Sequence, residues 1–396
     1  MKQKFCRYLL LWLVAMFGAG CSTTTVKTTS HVQAIQETSA VPEDQLLDVG
    51  INIFKPGVDD LSPQKGVFPP IRKAEGRYIP YKLMETLQQT GNWGVVRVIP
   101  DRKSEMDLWI DGEILKSDGE VLALNVKVQD SSGKVWYTKK YEEAASKYAY
   151  DTSVGGRDKE PFQGLYNRIA NDLLLYRRQL KADQIKTLRT ITELKFAKAF
   201  APDAFNDHIA TDSNGHYVIK RLPADNDPIL QRVKRIRERD NMFVDTLQDY
   251  YGSFARQMDN PYFDWRKQSY EETAALHELQ DQAAARLLGG ILAVGAGIVG
   301  MASNSRLGQV AGTVGAIGGA YAIKSGLDKN AESKIHAQAL EELASSLNAE
   351  IQPHTLELED RTVTLSGTVD DQYAQWKQIL RDIYMKETGQ TTPAAN

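Results

Sequence analysis

The residues in this 396-residue chain whose types suit metal, nucleophile or phosphate chemistry are six histidines, two cysteines and a dense glycine run. Gly295-Ala296-Gly297-Ile298-Val299-Gly300 spells G-x-G-x-x-G, a backbone cradle for pyrophosphate when it joins a strand to a helix. Here Glu271 to Leu288 before it reads as helix, no strand-helix series surrounds it, and no acidic residue sits about 20 positions on to hold a ribose. His277-Glu278 opens an H-E-x-x-H, but Asp281 stands where the second zinc ligand belongs. No two of His31, His208, His216, His277, His336 and His354 have the spacing of a helical metal pair, and no G-x-S-x-G occurs. Both cysteines, Cys6 and Cys21, fall within the first 21 residues, so the rest of the chain offers no thiol nucleophile. Folding can join distant carboxylates, but the sequence singles out no such pair. The expectation is a protein without metal or cofactor, and not an enzyme.

Charge excludes another class. With 48 Lys+Arg against 51 Asp+Glu there is no basic excess for nucleic acid. The local exception is Arg232, Lys234, Arg235, Arg237 and Arg239, a basic run on a helical stretch ahead of Phe243, Tyr250, Tyr251, Phe254, Tyr262, Phe263, Trp265 and Tyr270. It is a candidate contact for an anionic surface, or else a solvated helix face above an aromatic core; Glu238 and Asp240 dilute its charge.

Eleven of the 29 glycines lie between Gly289 and Gly326. Gly289, Ala293 and Gly297, then Ala296 and Gly300, then Gly308, Gly312, Ala316 and Ala320, and also Gly315 and Gly319, recur at four, which puts small residues on one helix face where backbones approach closely. Interior glycine costs a helix about 1 kcal/mol relative to alanine, so such helices need a covering partner. Ser303 to Arg306 is a polar turn between apolar runs of 16 and 17 residues, which gives a hairpin over 287–323. Packing within a soluble bundle and insertion into the outer membrane both provide cover, and the membrane is the reading adopted here.

The first twenty residues are an address. Lys2, Lys4 and Arg7 precede ten apolar residues, Tyr8 to Phe17, and then Gly18, Ala19 and Gly20 lead to Cys21. The apolar run spans about 15 Å, half of a ~30 Å hydrocarbon core, which favours cleavage over a permanent span. Small residues ending at a cysteine resemble the lipobox of bacterial lipoproteins, although Gly18 stands where that family usually has leucine. The resemblance implies diacylation of Cys21, cleavage before it and acylation of the new amino terminus. Ser22 rather than Asp after the cysteine implies the outer membrane.

Further elements follow from periodicity. Ser22 to Gln45, rich in Ser and Thr, reads as a flexible tether. Leu47, Val49, Ile51 and Ile53 alternate as a strand, a loop covers Pro56 to Gly76, and a helix opens at Pro80 and ends at Gly91. Strands are expected at Trp93–Ile99, Leu108–Leu115 and Val121–Val128, and near Val135–Tyr141, with turns at Ser117-Asp118-Gly119-Glu120 and Ser131-Ser132-Gly133. This order of strand, helix and antiparallel meander, carried by "YIPYKLMETLQQTGNWGVVRVIP" and "MDLWIDGEI", resembles the small periplasmic domain shared by the TolB amino-terminal region, the penicillin-binding-protein activator LpoB and the curli secretion lipoprotein. Those relatives are binding or assembly modules. Apolar stripes then predict helix from 162 to about 200 with an irregularity near Ala182, from Pro228 to Met258 with a break at Asn260-Pro261, and from about Asp264 into the glycine segment. Helix, two strands and helix after Glu332, with "RTVTLSGTV", resemble the BON domain of envelope proteins without its closing strand.

The chain therefore reads as α+β: signal peptide 1–20, tether 21–45, a small α/β-sandwich periplasmic domain over 46–150, a long helical region over 160–286, a glycine-zipper hairpin over 287–325, a carboxy-terminal αββα domain over 331–386, and a disordered tail over 387–396. The expected function is a non-enzymatic scaffold or component of an envelope assembly or export complex. It would be anchored by lipid at Cys21, face the periplasm and work with a protein partner or as a homo-oligomer. The alternatives are a homo-oligomeric conduit with its glycine hairpins in the outer membrane, and a cell-wall or polysaccharide enzyme. Cys21→Ala is expected to abolish metabolic labelling by fatty acid, and label that persists in this variant would refute the assignment.

Overall fold

The computed structural model describes residues 32–39, 41–57, 69–102, 104–155, 159–297, 354–357 and 362–389. The first alternating run becomes β1 (Val49–Ile51), buried along its whole length because it lies between two parallel neighbours, β2 (Val96–Val98) and β3 (Leu108–Ser117). From β3 the sheet continues antiparallel through β4 (Val121–Asp130) and β5 (Val135–Ala144), giving the order β2-β1-β3-β4-β5. A mixed sheet with helices makes the fold α+β. β2 departs from the expected antiparallel meander. It follows a helical crossover from β1, and such a connection returns the chain parallel, whereas tight turns join β3, β4 and β5.

That crossover helix, α1 (Pro69–Thr90), begins eleven residues before the expected start and carries Pro80 in its interior. Tyr78, Ile79, Leu83, Met84 and Leu87 are buried around the proline, so core packing outweighs the lost backbone bond. The helix stops at Gly91 as expected, with φ of +66°. The second expected helix divides at its predicted irregularity into α2 (Gln163–Arg177) and α3 (Ala182–Phe200). α3 is tied to the sheet where the Ser131 hydroxyl donates to the Leu188 carbonyl at 2.7 Å and the Thr192 hydroxyl to Asp107 at 2.6 Å. The Asp212–Gly215 turn, read as part of a loop, joins a short hairpin of β6 (Ile209–Thr211) and β7 (Tyr217–Ile219).

α4 (Pro228–Gly297) is one helix of 70 residues. The break expected at Asn260-Pro261 does not occur: Phe254, Ala255 and Met258 before the proline and Tyr262, Phe263 and Trp265 after it are buried, which offsets its cost of about 3 kcal/mol. Among the described residues no helix is long and apolar enough to cross a membrane. The chain then supplies a hairpin, β8 (His354–Glu357) and β9 (Thr362–Leu365), and α5 (Val369–Thr388), whose start Thr368 caps by accepting from the Asp371 N–H. α5 extends two residues into the tail read as disordered. It packs on α4 and α3 through Phe243 against Trp376 and Tyr373, and Phe200 against Tyr384. A single hydrophobic core runs from Leu47 to Tyr384, so the helices share it with the sheet.

The β3–β4 turn meets α4 at the closest backbone approach in this contact. Gly119 has φ of +79°, and a Cβ there would lie 2.2 Å from the Arg266 carbonyl oxygen and 2.8 Å from the Tyr270 nitrogen. Tyr150 Oη donates to the Gly119 carbonyl at 2.5 Å and Ser269 Oγ to that of Asp118 at 2.8 Å. Both the backbone angle and the helix exclude a side chain. Gly119→Ala is expected to lower stability by about 2 kcal/mol or more, read as a lower urea midpoint.

Candidate functional site

A cleft of about 260 Å³ lies where α1, the segment before α2 and the middle of α4 meet. α1 supplies Tyr78 and Lys82, one turn apart; the segment before α2 supplies Lys159 and Glu160; α4 supplies Asp259, Asn260, Phe263 and Arg266 on successive turns. Tyr78 Oη donates to Asp259 Oδ1 at 2.7 Å and lies 3.5 Å from Glu160 Oε2. The fold thus joins two carboxylates about one hydroxyl, a pairing that no sequence spacing announced.

Each carboxylate already faces a cation. Arg266 Nη1 and Nη2 donate to Glu160 Oε1 and Oε2 at 2.7 and 3.1 Å, and the two side chains are 3% and 9% exposed. The guanidinium also covers the Tyr262 ring at 4.2 Å. Burial is the largest single effect and works against its charge, but Glu160, Tyr262, Tyr78 and Tyr150 together outweigh it and hold the group charged well above its ordinary range. Lys82 Nζ is 3.2 Å from Asp259 Oδ1 and 3.2 Å from Glu85. Burial, reinforced by Glu160, pushes the Tyr78 phenol well up. Both oxygens of Glu160 thus accept from the Arg266 guanidinium, and Oε1 also accepts from the Phe162 N–H at 3.2 Å. The arrangement fastens α1, the segment before α2 and α4 to one another.

Behind the cleft Glu75 is fully buried, accepting from Ser117 Oγ at 2.7 Å and Tyr262 Oη at 2.8 Å, with Arg72 Nε 3.5 Å away. Burial raises its pKa, against the opposing Arg72 charge. A second buried pair docks α5: Lys377 Nζ meets Asp240 at 2.6 Å, with Ser104 Oγ 3.3 Å from the same oxygen and the rings of Phe196, Phe200 and Tyr373 5.2 to 5.9 Å from the ammonium. Burial lowers the Lys377 pKa, with Asp240 opposing.

The structure disperses the basic run of α4. Arg232 and Arg239 both reach Glu387 of α5, at 3.7 and 3.2 Å, and Lys234 reaches Glu193 of α3 at 2.8 Å. Arg237 is half-buried with its charge felt at Asp107, and Arg235 is exposed. Gly289 and Gly297 fall in the last turns of α4, whereas Cys21, Gly300, Gly308, Gly312, Gly315 and Gly319 lie outside the described residues. His208 is engaged locally, with Nδ1 2.9 Å from the Arg221 carbonyl oxygen, and among the described residues no cluster could hold a metal ion. Sequence reading passed over Glu160, Arg266 and Lys377 and took Asp240 only as diluting the basic run. The available signal was the charge of Arg266 and Asp240 among aromatic residues on one helical stretch.

Removing one member of a buried ion pair leaves the other charged and unpaired. Arg266→Ala and Glu160→Gln are each expected to lower stability by about 3–5 kcal/mol, while the double replacement Arg266→Met with Glu160→Leu restores most of it. Chemical denaturation of the three variants tests this. A double variant no better than the singles would contradict a role in fastening.

Comparison of the chain with protein-family models, with curated proteins and with solved structures finds no match.

Proposed function

We infer that this chain is an outer-membrane-anchored lipoprotein, facing the periplasm, that acts without catalysis as a scaffold or component of an envelope assembly or export complex. The observation that carries the reading is α4. Its buried face, from Val233 to Arg266, is fastened to the sheet and to α1, α3 and α5. The same helix then continues unbroken to Gly297, well into the glycine-rich stretch that begins at Gly289. From Arg266 to Gly297 it advances about 46 Å at 1.5 Å per residue. A body that braces one helix and extends it to a small-residue segment is built to hold that segment at a set distance. The address at the amino terminus, with Cys21 as lipid site, supplies the compartment. On this reading Arg235, exposed on α4, is the member of the basic run proposed to meet an anionic surface.

The conduit alternative draws on the small residues repeating at four, which include Gly289 and Gly297 on α4. In that case 287–323 enters the outer membrane and copies of the chain pack glycine face to glycine face. Purification of the native lipoprotein in mild detergent, followed by mass measurement and identification of co-purifying proteins, separates the two. The scaffold is expected to emerge as a defined complex with another protein. A closed ring of this chain alone would support the conduit instead.

A further inference from the structure

Residues 32–37 run beside α2 and the end of α1 and bend at 38–39, held by carboxamides rather than by a neighbouring strand. Asn171 on α2 accepts from the Ile35 N–H at 2.7 Å and donates to the Gln33 carbonyl at 2.9 Å. Asn92, just beyond α1, donates to the Ile35 carbonyl at 2.8 Å and accepts from the Glu37 N–H at 2.9 Å. All four bonds fall on residues 33, 35 and 37, one edge of an extended chain. A carboxamide offers a donor and an acceptor as a peptide group does, so the two asparagines stand in for an adjacent strand. One turn earlier on α2, Asn167 donates to the Val32 carbonyl at 2.7 Å. Charge adds a specific grip: Arg178 Nε and Nη2 lie 3.1 and 3.0 Å from the two oxygens of Glu37, and Arg177 Nη1 lies 3.7 Å from one of them.

The two sides of this contact differ. Asn92 is 1% exposed and belongs to the body, whereas none of residues 32–39 is buried. Asn92 thus anchors the receiving edge in the body, Asn167 and Asn171 are half-buried, and the segment they receive adds nothing to the hydrophobic core. Recognition takes the backbone, the Glu37 carboxylate and the Gln36 carboxamide, which donates to the Gln89 carbonyl at 3.1 Å, and its backbone part follows the logic of strand addition. The Asn171 and Arg178 bonds are exposed and those of Asn92 and Asn167 part-buried; each contributes about 1 kcal/mol net, and ordering eight residues opposes them, so the contact is poised for exchange.

We propose that Asn92, Asn167, Asn171, Arg177 and Arg178 form a binding site for an extended polypeptide segment bearing a carboxylate, that residues 32–39 are its resident occupant, and that such a segment of another protein displaces them. Displacement has a mechanical consequence. The chain is fastened again at 43–45, where Lys186 pairs with Asp44 at 2.8 Å and Arg177 Nη2 donates to the Gln45 carbonyl at 3.1 Å. If Cys21 carries lipid, a reading on which this consequence but not the binding itself rests, the length of chain between Cys21 and the first fastened residue grows from residues 22–31 to residues 22–42. Its maximal reach then rises from roughly 35 Å to roughly 75 Å. Occupancy of the groove would thus set how far the body stands from its membrane.

The test uses the full chain carrying Cys21→Ala, so that lipid plays no part and failure of the lipoprotein reading, seen by fatty-acid labelling, stays separate. Amide hydrogen exchange is followed at Ile35 and Glu37, the two N–H groups held by asparagine. Both are expected to exchange about tenfold or more slower than in a free peptide. Millimolar peptide VQAIQETS, the sequence of residues 32–39, is expected to remove that protection, while the same peptide with Glu37→Lys leaves it in place. Asn171→Ala is expected to lose the protection with the melting temperature of the body unchanged. The proposal is overturned if Ile35 and Glu37 exchange at the free rate, if the peptide leaves their protection intact, or if the Glu37→Lys peptide competes equally well.

Discussion

The guanidinium of Arg266 is the contact on which most of the body depends. It has left water almost completely, and it is compensated by both oxygens of Glu160 and by the face of Tyr262. Its own carbonyl lies against Gly119, so the residue that holds the segment before α2 also abuts the β3–β4 turn. Through Tyr262 the contact continues to Glu75 and Ser117. A buried charge of this kind contributes little net stability against an apolar alternative, yet a wrong register would leave it unpaired at a cost of several kcal/mol. Its value lies in specifying one register of α4 on the sheet.

Charged contacts with other elements recur along α4. Asp240 receives Lys377 and so determines where α5 lies, and Arg97 on β2 makes a two-point pair with Asp245 at 2.6 and 2.9 Å. Between these contacts the helix buries aromatic residues at helical spacing, from Phe243 through Tyr251 and Phe254 to Tyr262 and Trp265. Burial drives the association, and the charged contacts select which turn of the helix faces which strand. A continuous helix passes through Pro261 because both neighbouring turns are held in this way.

Carboxamides do a related task at edges of the sheet and body. Gln248 of α4 accepts from the Val98 N–H at 2.9 Å and donates to the Val98 carbonyl at 2.9 Å, closing the free side of the edge strand β2. Asn171 and Asn92 present the same pair of groups to residues 33–37. An unpaired strand edge invites association with other chains, and a side chain that mimics a strand either seals it or receives a strand in turn. On β2 the edge is sealed by a half-buried residue of the long helix α4, whereas beside α2 the received segment lies at the surface, which makes the second contact the exchangeable one.

Much of the architecture was legible in local pattern. Period-two alternation located β1 and β3 to β5, the turn at Ser117–Glu120 carries its glycine in the left-handed region, and apolar stripes identified α2, α3 and α5. These features depend on residues within a few positions of one another, where backbone sterics and side-chain spacing act directly. Local reading failed at Pro80 and Pro261, where burial on either side sustains a helix that proline disfavours, and at β2, whose parallel placement follows from the crossover by α1. It also failed at Gln33 to Gln45, where polar residues that suggest a free tether are held by partners more than 50 positions away. The candidate site was not legible at all. Glu160 and Arg266 are 106 residues apart, and Asp240 and Lys377 are 137 apart. Those distances close only when particular helix faces have been buried against one another. The sequence alone carries the proposed address at Cys21, the glycine segment and the types of element. Tertiary structure alone decided which charges meet, because pairing a buried charge depends on the packing that removes both partners from water.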